Sequence, residues 1–316
     1  MTPLGIVLLS GGALGVAAPL ALGRLRRLEH APQPAAYLWL ATTTGALVAL
    51  VLAGFLLVLP SGDLALDLAV LLRTCSMALR HALDASTGAP GPLLGLALLA
   101  LVPGGLLTGA VVAGTRAWRA ARCQHELLAL AGQRHPELPG VTVLDHPTPL
   151  AYCLPGRPGP VVLTTAALHR LDPGQLAAVL AHERAHQARR HHRLLLAAEV
   201  LRTGFPWLPA ARAGRVAVGR LVELAADDDA AHHHGRADTV AALATLATAP
   251  TLVVGLSAGG PSAPERIRRL TAPPPTGLAG TLLLAILVIA VPLVAEFAAV
   301  TAPLLSVAGT PICPLL

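Results

Sequence analysis

The segment Leu180-Ala-His182-Glu183-Arg-Ala-His186 sets two histidines four residues apart, with a glutamate directly after the first. On a helix, residues i and i+4 share one face a turn apart, so both imidazoles can reach a single metal ion. Glu183 projects beside them, where a carboxylate can take a proton from water on that metal. The pattern is HExxH, and the chemistry it serves is metal-assisted amide hydrolysis. A catalytic zinc keeps three protein ligands and one position for water, so a third ligand must come from elsewhere, and three residues compete. His192 stands where HExxHxxGxxH would place a ligand, but that motif turns the chain at a glycine and residue 189 is Arg. The helix is expected to run on and carry His192 away. Glu199 lies in a very apolar run that suits a structural role. Glu223 opens Glu223-Leu-Ala-Ala-Asp227; it can bind the metal, and Asp227, one turn on, can accept the second N–H of a ligand histidine. Glu223 is the favoured candidate. Asp228 and Asp229 read as a solvated acidic face, and His232, His233 and His234 as an exposed helix end. Tyr152 and Arg220 are candidates for substrate or oxyanion contacts.

These side chains need elements to hold them. Asp172 is an N-cap with Pro173 at the first helical position, and Gln175 at N3 can complete a capping box. One helix is expected from Pro173 to Arg193. A second, apolar helix from about Leu194 stops near Pro206 and Pro209, a third runs from about Arg212 to His234 with Gly235 as its stop, and a fourth covers Ala237 to Ala249. Ahead of them lie β-rich runs at 141–145, 151–154 and 161–165. The turn sequence Pro155-Gly-Arg-Pro-Gly-Pro160 separates the last two, which suggests a hairpin or edge-strand arrangement. Residues 116–277 thus read as one α+β domain.

The rest of the chain is a different material. Of 316 residues 54% are apolar and 13% charged, with mean hydropathy +0.65; soluble domains carry about 25% charged residues. Thirty of the forty charged residues lie between Arg116 and Arg269. Four nearly uncharged stretches remain, each long enough to span about 30 Å of hydrocarbon. They predict transmembrane helices at about 4–23, 37–59, 93–115 and 278–301, the last kinked at Pro292. No Arg or Lys precedes the first stretch, so it is not expected to be a signal peptide. Arg24, Arg26 and Arg27 in one loop, and Arg116, Arg119 and Arg122 after the third span, put 24–36 and 116–277 on the cytoplasmic side. The loop 60–92 then lies outside. There Leu64, Leu68, Leu71, Leu72, Cys75 and Leu79 share a helical face, suited to an interfacial helix or to packing on the bundle. Cys75 and Cys313 fall on the outer side, where a disulfide is chemically open to them, while Cys123 and Cys153 face a reducing compartment. The 23 basic residues are all Arg, interspersed with Asp and Glu, and aromatics are 3%, so direct nucleic-acid binding is not expected.

The stretches VLDHPTPLAYCLPG (143–156), VVLTTAAL (161–168), LDPGQLAAVLAHERAH (171–186), VELAADDDA (222–230) and PERIRRL (264–270), with four spans, resemble the BlaR/MecR family of integral membrane zinc metallopeptidases. More distantly they are similar to the HtpX and CAAX-prenyl proteases, which share the gluzincin plan of HExxH followed by ExxxD. The resemblance implies an α-helical membrane protein with an inserted α+β gluzincin-type zinc metallopeptidase domain, in a bacterial cell membrane. It implies one zinc held by His182, His186 and Glu223, Glu183 as catalytic base and Asp227 behind a ligand. It also implies that 151–154 is an edge strand able to bind an extended substrate by β-augmentation. The expected substrate is a protein on the cytoplasmic side, a BlaI/MecI-like winged-helix repressor; the alternatives are HtpX-like quality control of membrane proteins and a non-catalytic metal-binding regulator. Sensor members carry a large outer domain after the last span. Only about 15 residues follow it here, so direct β-lactam sensing is not expected.

Overall fold

The computed structural model describes residues 2–58, 90–156, 159–247, 262–273 and 276–308. Its apolar parts form a helical bundle. Helix α1 (Pro3–Gly12), a π turn (Ala13–Ala17) and α2 (Ala18–Arg24) make the first segment, begun by Thr2, whose hydroxyl accepts from the Gly5 N–H at 3.3 Å. A 3-10 turn at Arg26–His30 leads to α3 (Pro32–Val58), and α4 (Pro90–Ala131) and, near the C-terminus, α11 (Leu278–Ala308) complete the long helices. Among the described residues, four stretches are long and apolar enough to cross a membrane: Pro3–Arg24, Pro32–Val58, Gly91–Ala131 and Leu278–Thr301. Their outward faces carry exposed Leu107, Val294 and Phe297, as a lipid-facing surface would. The face expected along 64–79 lies outside the described residues, as do Cys75 and Cys313.

The third long helix does not stop at 115. It runs unbroken to Ala131 and feeds β1 (Gly132–Arg134), a strand the sequence patterning did not announce. With β2 (Val141–Leu144), β3 (Ala151–Cys153) and β4 (Val161–Thr164) it forms a sheet of order β1-β2-β4-β3. β2 and β4 pair in parallel, while β3 folds back antiparallel on β4 with Cys153 opposite Val161, so β3 is an edge. Among the described residues, α5 (Thr165–Arg170), α6 (Pro173–Ala188), α7 (His191–Gly204), α8 (Pro209–His234) and α9 (Arg236–Ala247) follow the sheet. The short α10 (Ala263–Thr271) precedes α11. Asp172 caps α6 by accepting the Gln175 N–H at 2.8 Å.

The expected end of the HExxH helix is also corrected. The single helix from Pro173 to Arg193 is two helices, because Arg190 takes up a left-handed conformation at φ 55. It is the one non-glycine residue with positive φ among the described residues. For an L residue this costs roughly 1–2 kcal/mol. The break redirects α7, which begins at His191 rather than near Leu194.

The largest buried cluster is shared between the spans and the sheet-bearing segment. Leu14, Trp39, Ala46 and Val102 pack with Leu194, Phe205, Leu208, Val218 and Leu221 from α7, α8 and the turn between them. Helix α7 lies on α4 almost backbone to backbone. A Cβ added to Gly105 would sit 2.6 Å from the Phe205 ring, and one at Gly109 would overlap the Val200 carbonyl. Only glycine permits that approach, which offsets the roughly 1 kcal/mol that glycine costs in a helix. A second cluster, including Val141, Leu163, Val179, Leu180 and Ala242, fastens the sheet to α6 and α9.

Candidate metal centre

Helix α6 presents His182 and His186 on one face, and α8 crosses it to bring Glu223 opposite. Two Nε2 atoms and the carboxylate oxygens converge, with ligand atoms of all three residues within 4.8 Å of one another. The two Nε2 atoms are 3.2 Å apart. His182 Nε2 lies 3.6 Å from Glu223 Oε2, and His186 Nε2 lies 3.6 Å from Oε1. A tetrahedral zinc with bonds of about 2.0–2.1 Å separates its ligand atoms by roughly 3.3–3.4 Å. The donor set of two imidazoles and a carboxylate, at these separations, therefore fits a zinc ion.

Each imidazole is held from behind at Nδ1. For His182 the partner is Asp227 Oδ1 at 3.1 Å. Asp227 is fully buried and bound two-fold by Arg266 of α10, at 2.5 Å to Oδ1 and 2.8 Å to Oδ2. The same guanidinium reaches to 3.5 Å from Glu223. For His186 the partner is His191, the first residue of α7, with Nδ1 to Nδ1 at 2.9 Å. His191 is fully buried, and its Nε2 meets Gln33 Oε1 at 3.1 Å.

Charge follows from this layout. Burial works against a charged His182, but hydrogen bonds to Asp227 and Glu223 outweigh it and pull the metal-free imidazole up to about 10. Burial, and then the charge on His182, pushes His186 down to about 4. Glu223 and Asp227 would also be raised by burial; the His182 hydrogen bond with nearby positive charge on the first, and the Arg266 and His182 hydrogen bonds on the second, hold both below the usual carboxylate range. Glu183 behaves differently. It is buried, and desolvation raises its carboxyl above the ordinary value, with the Cys153 thiol as a hydrogen-bond neighbour. A carboxylate with raised proton affinity beside a cluster that can hold zinc has the character of a general base.

Other candidates fall elsewhere. His192 lines a separate basin of about 580 Å³ with Arg190 and Arg193. The chain does turn after α6, but the turn delivers His191, not His192, to the centre. Glu199 pairs with Arg202 at 2.5 Å and with Arg215 at 3.0 Å. Tyr152 does not fit an oxyanion donor. Strand alternation points it away from Cys153 and α6, into a cluster with Leu128 and Val162, where its hydroxyl meets Gln124 at 3.2 Å. Arg220 is committed to Glu29 at 2.9 Å and to Glu265, so it too is an unsuitable donor. Asp228 and Asp229 are not simply solvated: Arg269 clamps the first with bonds of 2.8 and 2.7 Å, and Arg189 the second. Sequence reasoning overlooked His191, Gln33 and Cys153 as neighbours of the centre. Arg266 lay within a quoted motif, PERIRRL, without a role.

Comparison with known proteins agrees with this chemistry. Residues 116–208 match the sequence model for Peptidase family M48, a stretch that includes α6 with His182, Glu183 and His186 and ends ahead of Glu223. No curated protein and no solved structure matches the chain. Over the matched part the chain is similar to Peptidase family M48, which together with its long apolar helices supports a membrane-associated metallopeptidase.

Proposed function

We propose that the protein is a zinc endopeptidase embedded in a membrane. The observation that carries this reading is the convergence of His182, His186 and Glu223 at zinc-ligand separations, with buried Glu183 on the same helix as the two histidines. Zinc bound there supplies Lewis acidity toward a water and a peptide carbonyl. The chain's own residues do the rest. Asp227 keeps the His182 Nδ1 proton in place, so that Nε2 offers its lone pair. Glu183 accepts the proton of the attacking water and passes it to the leaving nitrogen. The free edge of β3, whose Cys153 adjoins Glu183, can take an extended substrate as an added strand.

The test is Glu183→Gln. It should keep its zinc and lose proteolysis about 10²–10⁴-fold. Cleavage at the wild-type rate would end the peptidase reading, and a wild-type protein that binds zinc without cutting any substrate would favour the non-catalytic regulator.

The substrate reading is a BlaI/MecI-like repressor, cut between its DNA-binding and dimerisation parts so that two-site avidity is lost. It rests on the BlaR/MecR-like stretches and on the cytoplasmic side that the arginine placement predicts for residues 116–277. HtpX-like quality control is the second reading. It is favoured by the closeness of the centre to the bundle: Gln33, at the start of α3, lies one side chain from a metal-site histidine. Comparing repressor fragments in wild-type and Glu183→Ala cells under cell-wall stress separates the two. An intact repressor in both strains, with unrelated membrane proteins accumulating in the mutant, selects quality control.

A further inference from the structure

The two metal-site histidines are backed in chemically different ways. His182 rests on a carboxylate of the crossing helix α8, whereas His186 rests on a chain of neutral groups that leads out of the sheet-bearing segment altogether. From the centre outward it runs His186 Nδ1, His191 Nδ1 at 2.9 Å, then His191 Nε2 to Gln33 Oε1 at 3.1 Å. It ends with the Gln33 amide donating to the Tyr37 hydroxyl at 3.4 Å. Gln33 and Tyr37 stand one turn apart at the head of α3, which runs on to Val58 as a membrane-length helix.

The order of donors along this chain is determined from its outer end. An amide group that donates through nitrogen to Tyr37 presents its oxygen to His191, and an oxygen can only accept. His191 must then carry its proton on Nε2, which leaves a lone pair on Nδ1. That lone pair can only accept, so His186 must carry its proton on Nδ1 and hold its own lone pair on Nε2, the atom facing His182 and Glu223. With the Gln33 oxygen facing His191, this is the one set of neutral tautomers in which no two lone pairs and no two protons meet along the chain. The turn at Arg190 that delivers His191 costs strain, and backbone strain persists only where surrounding structure holds it.

We infer that Gln33 and His191 are positioning residues that fix the tautomer and ring orientation of His186 for the metal, and so tie the metal centre to the first turn of transmembrane helix α3. The inference rests on the reading of His186 as a zinc ligand. It requires that a side chain on α3, far away in sequence, sets zinc affinity without touching the ion.

The experiment measures zinc affinity of the full-length protein in detergent micelles, by competition for Zn²⁺ against a chromophoric chelator, together with melting temperature. Gln33→Met keeps the length of the side chain and removes the acceptor. It should weaken zinc binding about tenfold, the lower end of what is seen when a partner behind a ligand is lost. Gln33→Glu restores an acceptor at the same reach and should return affinity to at least the wild-type level. His191→Phe should weaken binding further, toward a hundredfold. Wild-type affinity in Gln33→Met overturns the inference, as does equal loss in Gln33→Met and Gln33→Glu, which would mark a packing role only. Should His191→Phe not fold, the two Gln33 variants decide alone. If the wild-type protein itself binds no zinc, the metal-centre reading fails, an outcome distinct from the failure of this one.

Discussion

Metal analysis of single variants separates the roles argued for individual side chains. Glu223→Ala removes the sole carboxylate among the three converging ligands and should leave the purified protein without zinc. His192→Ala, altering a residue that lines another basin, should retain it; the reverse result would overturn the ligand assignment. Arg266 gives a prediction of stability. Asp227 is fully buried and held below its unfolded value mainly by Arg266 and His182, so deleting the guanidinium strands a charge. Arg266→Gln should cost about 3–5 kcal/mol, read as a lower melting temperature in detergent. The sign of the pH effect follows. A depressed folded value means that Asp227 contributes stability above its unfolded value of about 3.9, and that this contribution is lost as pH falls through the folded one. Acid melting of Asp227→Asn should therefore be shallower than that of the wild type.

Among the elements, the turn between α6 and α7 decides whether His191 reaches the centre. Proline fixes φ near −65°, which Arg190 cannot adopt at its observed 55. Arg190→Pro should therefore destabilise by about 3 kcal/mol or more and release zinc, whereas Arg190→Gly, free to take positive φ, should do neither. A circular-dichroism melt with zinc quantification checks both. This turn also marks where the sequence stops being readable. The capped start at Asp172, the spacing of His182 and His186, the strands around 141–164 and the stop at Gly235 all follow from local rules of capping, periodicity and turn chemistry. The end of α6 does not. No glycine or proline announces it, because an arginine pays the conformational cost that tertiary packing then offsets. For the same reason His191 was invisible while its neighbour His192 drew attention. Gln33 lies 158 positions from His191, and no local pattern connects them. Tyr152 looked suitable by type and by its place in the edge strand, but the two-residue alternation of β3 turns it to the far face.

At the scale of the whole molecule, the buried cluster joining α3, α4, α7 and α8 means that the sheet-bearing segment lacks a full core of its own. Residues 116–277 expressed alone should aggregate, since Phe205, Leu208 and Val218 would lose the spans they pack against; a monodisperse, zinc-binding fragment would contradict this. Orientation is a separate matter, resting on arginine placement. A cysteine introduced near Arg134 should resist a membrane-impermeant reagent in intact cells, while one near Asp84 should react. Labelling near Arg134 with protection near Asp84 would mean an inverted protein.

Helix α4 has 42 residues, which at 1.5 Å per residue is about 63 Å, twice the hydrocarbon thickness of about 30 Å. One continuous helix, with Pro103 inside it, thus extends from the apolar bundle to the sheet, and its middle packs on α7 through Gly105 and Gly109. A helix longer than the hydrocarbon it crosses answers hydrophobic mismatch by tilting or by bending at a site such as Pro103. Either change is felt where α7 packs on it at Gly105 and Gly109, and α7 begins at His191. Reconstitution in bilayers of short and long acyl chains should therefore change the zinc off-rate at constant temperature and pH, making membrane thickness a physical input to the metal centre.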